Sequence, residues 1–124
     1  MSGAGGQRWR VLVVEDFDLL REMLVAGLRD AGYQVDGAAS VAGALGLRPE
    51  SYHVLVTDMR LGDEDGMALL GIVAAVDPTI ASRSILMTGG GFEEWPPVDI
   101  PVLVKPFPID SLVDAVRRLV EDGS

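Results

Sequence analysis

The sequence predicts a doubly wound α/β domain, a parallel five-stranded sheet covered by helices on both faces. Three observations carry that expectation. Short apolar runs alternate with longer stretches of helical period, which is the pattern of βαβ crossovers. The first run, Val11-Leu-Val-Val14, is continuous rather than alternating, as in a strand buried on both faces. A chain of 124 residues, 48% of them hydrophobic, is large enough for one core without staples.

The elements follow in order. After Val11–Val14, Asp18 can cap a helix in which Leu20, Met23, Leu24, Gly27, Leu28 and Ala31 recur at helical spacing until Gly32 stops it. Tyr33-Gln-Val35 reads as a short second strand. Ser40 can cap a weak helix over Val41–Leu47, ended by Pro49 and weakened by two internal glycines at about 1 kcal/mol each. His53–Val56 is the third strand, closed by Thr57-Asp58, and the polar loop Gly62–Gly66 leads into a helix over Met67–Val76. Asp77-Pro78 ends that helix; Ala68, Gly71 and Ala75 are expected as its outward residues. Ser84–Met87 and Val102–Val104 are strands four and five. Leu112, Val113, Val116, Leu119 and Val120 lay an apolar stripe along a last helix. Residues 1–8 read as a Gly-rich leader, 9–121 as one domain and 122–124 as a tail.

Composition removes several functions. Without cysteine there are no disulfides, thiolate nucleophiles or Cys-based metal sites. A single histidine, His53, excludes a multi-histidine centre and is expected to be solvated or paired. A net charge of −9 disfavours nucleic acid and anionic membranes, so Arg8-Trp9-Arg10 reads as a strand-leading segment. The longest apolar run, Met67–Val76, has ten residues against about 20 for a membrane span. With no signal-peptide pattern at the N-terminus, this predicts a soluble, acidic, cytoplasmic domain.

In such sheets ligands bind beyond the carboxyl ends of the strands. The first run ends in Glu15-Asp16, the third in Asp58, the fourth in Thr88 and the fifth in Lys105. Three carboxylates, a hydroxyl and an ammonium therefore converge on one edge. Crowded carboxylates repel, and a hard, oxygen-seeking dication such as Mg²⁺ relieves them. A lysine beside such an ion can hold a phosphoryl oxygen and a threonine hydroxyl another. One carboxylate, Asp58 alone at the end of a central strand, can then attack phosphorus.

In that order and on those strands, the acidic pair Glu15-Asp16, Asp58 with Gly66 eight residues on, Thr88-Gly89 and Lys105-Pro106-Phe107 resemble the receiver domain of two-component response regulators. The resemblance covers Val11 to about Val120. It implies a flavodoxin-like fold with strand order 2-1-3-4-5 and a signalling phosphoacceptor, not an enzyme with an external substrate. Asp58 would take a phosphoryl group from the phosphohistidine of a sensor histidine kinase or histidine phosphotransfer protein. Mg²⁺ would be held by Asp16, Asp58, the backbone carbonyl of Arg60 and, through water, Glu15. Thr88 and Lys105 would contact the phosphoryl oxygens, and the Lys105–Pro106 bond would be cis. The wording near the C-terminus is similar to receivers of hybrid sensor kinases.

Departures from that family bear on output. The position three residues before the lysine, commonly Tyr or Phe, is Val102, and Gly62 stands where proline is typical. Sixteen residues separate Thr88 from Lys105, with Gly89-Gly-Gly91, Pro96-Pro97 and Pro101 among them, so a fourth helix is expected to be truncated or missing. Phe92–Trp95 offers about one turn. Coupling is then expected to run through a remodelled loop. Competing functions fare worse. An aspartate-nucleophile phosphatase needs a general acid where Arg60 stands, and no Gly-rich nucleotide motif follows a strand. A phosphorylation-independent binding module is the remaining alternative; the oligomeric state is left open.

Overall fold

The computed structural model describes residues 9–89 and 100–122. Five strands, β1 (Arg10–Val14), β2 (Gln34–Ala38), β3 (Val54–Asp58), β4 (Ser84–Thr88) and β5 (Val102–Val104), form one sheet in the order β2-β1-β3-β4-β5. All four pairings are parallel. Helices α1 (Asp18–Asp30), α2 (Val41–Gly46), α3 (Gly66–Val76) and α4 (Ile109–Asp122) cover it. The doubly wound class and the 2-1-3-4-5 order are as expected.

Successive side chains of a strand leave opposite faces, and here that alternation builds two cores. Leu12, Val14, Leu55 and Leu86 face Ala44 of α2, Leu69, Leu70 and Val73 of α3, and Ile80. Val11, Val13, Val54, Val56, Ile85 and Met87 face Leu24 and Leu28 of α1 and Leu112, Val116 and Val120 of α4. Leu86 is fully buried at the centre of the first core. Leu86→Ala is expected to cost about 3 kcal/mol, through lost transfer energy plus the cavity left behind, read as a lower urea midpoint.

Several boundaries differ from expectation. Phe17, not Asp18, takes the N-cap position of α1, without a side-chain cap bond; Asp18 is the first helical residue and pairs with Arg21 at 2.7 Å. Gly32, at φ +104°, does end the helix region. Strand β2 starts one residue later than Tyr33 and runs three past Val35, because Asp36, Gly37 and Ala38 stay in register with Leu12, Val13 and Val14. Ser40 caps α2 as expected, accepting from the Gly43 N–H at 3.0 Å. The loop after β3 contains a two-rung antiparallel hairpin, Arg60–Leu61 against Glu64–Asp65. Its Asp65 caps α3, which begins at Gly66 rather than Met67. A 3-10 turn over Pro78–Arg83, unforeseen, leads into β4. Ala68, Gly71 and Ala75 face outward. The expected truncation of a helix between β4 and β5, with its turn at Phe92–Trp95, lies outside the described residues, as do the leader and Gly123-Ser124.

At the amino end of the sheet, His53 is paired. Its Nδ1 accepts from the Arg10 N–H at 2.9 Å and its ring meets Trp9 edge-on at 4.8 Å. Arg83 donates to the Tyr52 and His53 carbonyls beneath it. Burial, then the Arg83 and Arg10 cations, pushes the imidazole below its ordinary 6.5. The unfolded chain therefore binds this proton more readily than the folded one, so stability is full above about pH 6.5 and falls as pH drops below it. His53→Asn, which keeps an acceptor near Nδ1 but cannot titrate, is expected to flatten that acid-side decline in Tm measured from pH 7.5 to 5.5.

Candidate functional site

The register sets the carboxyl ends of the strands side by side. Val14 lies opposite Ala38 and Thr57, Asp58 opposite Met87, and Thr88 opposite Val104. The residues that follow each end are thereby gathered onto one edge.

Glu15 is buried, 1% exposed, and its N–H continues the β1 ladder to the Ala38 carbonyl at 3.0 Å. Its Oε2 accepts from the Phe17 N–H at 3.0 Å and its Oε1 from Lys105 Nζ at 2.7 Å. Asp16, next in the chain, is exposed. Asp58 is buried at the end of β3; its Oδ1 accepts from the Arg60 N–H at 3.0 Å and its Oδ2 from Lys105 Nζ. Lys105 leaves β5 with its N–H on the Thr88 carbonyl at 2.7 Å, and the Lys105–Pro106 bond is cis. Thr88 is half-buried at the end of β4, and the Arg60 side chain is exposed. No buried side-chain N or O among the described residues lacks a partner.

The electrostatics are those of a charge cluster. Burial raises the Glu15 carboxyl above its ordinary value, against the Lys105 and Phe17 hydrogen bonds, and the Asp58 charge adds to the rise. Burial alone would lower the Lys105 ammonium, but its hydrogen bonds to Asp58 and Glu15 prevail and push it up. One lysine thus spans two buried acids while a third acid waits at the rim.

Carboxylate oxygens of Glu15, Asp16 and Asp58 lie within 4.8 Å of one another. A wholly oxygen donor set of three acids suits a hard divalent ion, and Mg²⁺ fits it. The structure thus brings together Glu15, Asp16, Asp58 and Lys105, with Thr88 and the Arg60 backbone beside them.

Sequence reasoning passed over Arg21. It sits four residues into α1, and nothing in its residue type or spacing marks it, because its contact is with a backbone carbonyl. Gly66 was read as a motif position without its cause. A Cβ there would lie 2.0 Å from the Asp58 carbonyl oxygen, so only glycine lets α3 start against the end of β3.

The family described as response regulator receiver domain matches residues 11–94. The receiver protein CpdR of Brucella abortus is 30% identical over 117 residues, 90% of this chain and 96% of CpdR. The C4-dicarboxylate transport transcriptional regulatory protein DctD of Rhizobium meliloti is 33% identical over 124 residues, 90% of this chain; the chain spans about a quarter of DctD's length. Among solved structures, a response regulator receiver protein from Sinorhizobium medicae aligns with a TM-score of 0.81 at 26% identity, over 95% of this chain and 98% of that one. The receiver domain of the hybrid histidine kinase CckA aligns at 0.75 and 28%, over 90% and 98%.

Proposed function

We propose that this chain, which belongs to the response regulator receiver domain family, accepts a phosphoryl group on the Asp58 carboxylate in a two-component relay. The observation that supports this best is the convergence of three carboxylates and one ammonium at the carboxyl edge of the sheet, with Asp58 on its central strand. The donor would be a phosphohistidine of a sensor kinase or phosphotransfer protein.

Asp16, Asp58 and the Arg60 backbone carbonyl would hold Mg²⁺, with Glu15 acting through water. When bound, that ion supplies positive charge that offsets both the acids and an incoming phosphoryl oxygen. The Arg60 N–H fixes one Asp58 oxygen, so the other is the nucleophile once Lys105 yields it. Its lone pair forms the new P–O bond as the P–N bond to the donor imidazole breaks and that pair returns to nitrogen. Lys105, freed from Asp58, meets a phosphoryl oxygen, and the Thr88 hydroxyl meets another. Glu15 stays on Lys105 and keeps the ammonium in place.

The test is intact mass after incubation with acetyl phosphate, with Mg²⁺ or with a chelator. One labile, Mg²⁺-dependent phosphoryl adduct is expected. No adduct, together with no spectral response to beryllofluoride, would overturn the reading in favour of a phosphorylation-independent binding module. No helix among the described residues is long and apolar enough to cross a membrane.

A further inference from the structure

The connection from β1 to α1 has to bring two successive acids to one cluster, and a cation outside the cluster donates to the peptide between them. Glu15 is held on its N–H by the Ala38 carbonyl and on its carboxylate by Phe17 and Lys105. Its remaining polar group, the backbone carbonyl, accepts from Arg21 Nη1 at 2.9 Å. That carbonyl belongs to the peptide plane joining Glu15 to Asp16. Turning the plane leaves Glu15 anchored but redirects Asp16, the exposed acid of the three.

Arg21 is built for this bond. Its other terminal nitrogen pairs with Asp18 at 2.7 Å, and the side chain is only 19% exposed. Its stem crosses β2 at Gly37, where a Cβ would stand 3.2 Å from both Cγ and Cδ. A missing side chain on the neighbouring strand thus gives the arginine its path.

We infer that Arg21 is a positioning residue for the divalent-cation site: it locks the Glu15–Asp16 peptide so that both acids face the ion, without itself touching ion or phosphoryl group. The inference rests on the metal-assisted reading above. Its physical rival is explicit, since a nearby positive charge should weaken the binding of a dication. Removing the charge would tighten Mg²⁺ on that account and loosen it on ours.

The experiment uses the whole chain and three proteins: the parent, Arg21→Met, which keeps the stem over Gly37 but neither donor nor charge, and Arg21→Lys, which keeps a donor and the charge. Mg²⁺ is titrated and followed by the amide shifts of residues 15–18 and 58–60, and Tm is recorded without metal. Outer-shell partners of ligands are typically worth 10–100-fold in metal affinity, so Arg21→Met is expected to bind Mg²⁺ about tenfold more weakly, with Arg21→Lys in between. The Mg²⁺ concentration that half-saturates phosphorylation by acetyl phosphate should rise alike, while the rate at saturating Mg²⁺ stays near the parent's. Equal or tighter Mg²⁺ binding by Arg21→Met, whatever its Tm, would overturn the inference alone. A parent that binds no Mg²⁺ would overturn the metal reading and this inference together.

Discussion

An Asp58→Asn chain is expected to take up no phosphoryl group from acetyl phosphate and Mg²⁺ under conditions where the parent takes up one. The amide is nearly isosteric with the acid, and its oxygen can still accept from the Arg60 N–H that now meets Oδ1. What it lacks is the anionic lone pair that attacks phosphorus. The change should leave the fold intact. Lys105 loses one of two acid partners but keeps Glu15, and the cluster sheds one of its mutually repelling charges. A Tm close to the parent's would mark the loss as chemical rather than structural. Proteolytic mapping of the parent adduct completes the test. A phosphoryl group found on Glu15 or Asp16, or retained by Asp58→Asn, would remove Asp58 from the nucleophile's role.

Asp58 was legible because the strand-end rule needs only apolar runs and the residue that ends each one. β1, β3 and β4 are buried on both faces or close to it, so their hydrophobic signal is continuous, while β5 is a half-buried edge strand legible only because its three residues are all apolar; the acids, the threonine and the lysine end or follow these runs. β2 was half legible. It is an edge strand whose Asp36 and Gly37 are exposed, and what makes them strand is their register with Leu12 and Val13, which no local pattern encodes. The cap of α1 was misread for a related reason. The Phe17 N–H is committed to the Glu15 carboxylate, and the chain enters the helix through a residue with no capping side chain, leaving Asp18 free to pair with Arg21. The hairpin at Arg60–Asp65 and the turn at Pro78–Arg83 are short segments held by tertiary context, each burying a single apolar residue, Leu61 and Ile80, too few for periodicity to see. Arg21 and Gly66 share one illegibility: each acts on a backbone carbonyl of a site residue, and backbone contacts leave no residue-type signature.

Gly66→Ala is expected to lower stability by about 4 kcal/mol, near the upper end for a single substitution and a large share of the 5–15 kcal/mol that holds a domain together. The added methyl would meet the Asp58 carbonyl oxygen at 2.0 Å, the Asp58 carbonyl carbon at 3.0 Å and Met59 Cα at 3.2 Å. All three are backbone, so no side chain can swing aside. Either α3 backs away from β3, breaking the 2.9 Å bond from the Gly66 N–H to the Met59 carbonyl, or the end of β3 moves and carries Asp58 with it. The second route also disturbs the Met59 N–H bond to the Met87 carbonyl, which ties the loop to β4. Stability and phosphoryl uptake should therefore fall together. Gly71→Ala, five residues on in the same helix, is the control with the opposite sign. Beyond its chain neighbours and the helix's own backbone, a Cβ there meets no atom of the described residues within 4 Å. Replacing a mid-helix glycine should then stabilise by up to about 1 kcal/mol. Urea unfolding of the two variants against the parent separates the causes. If Gly66→Ala matched Gly71→Ala, close approach of α3 to β3 would not be what demands glycine at position 66, and the seating of Asp58 would have to be explained without it.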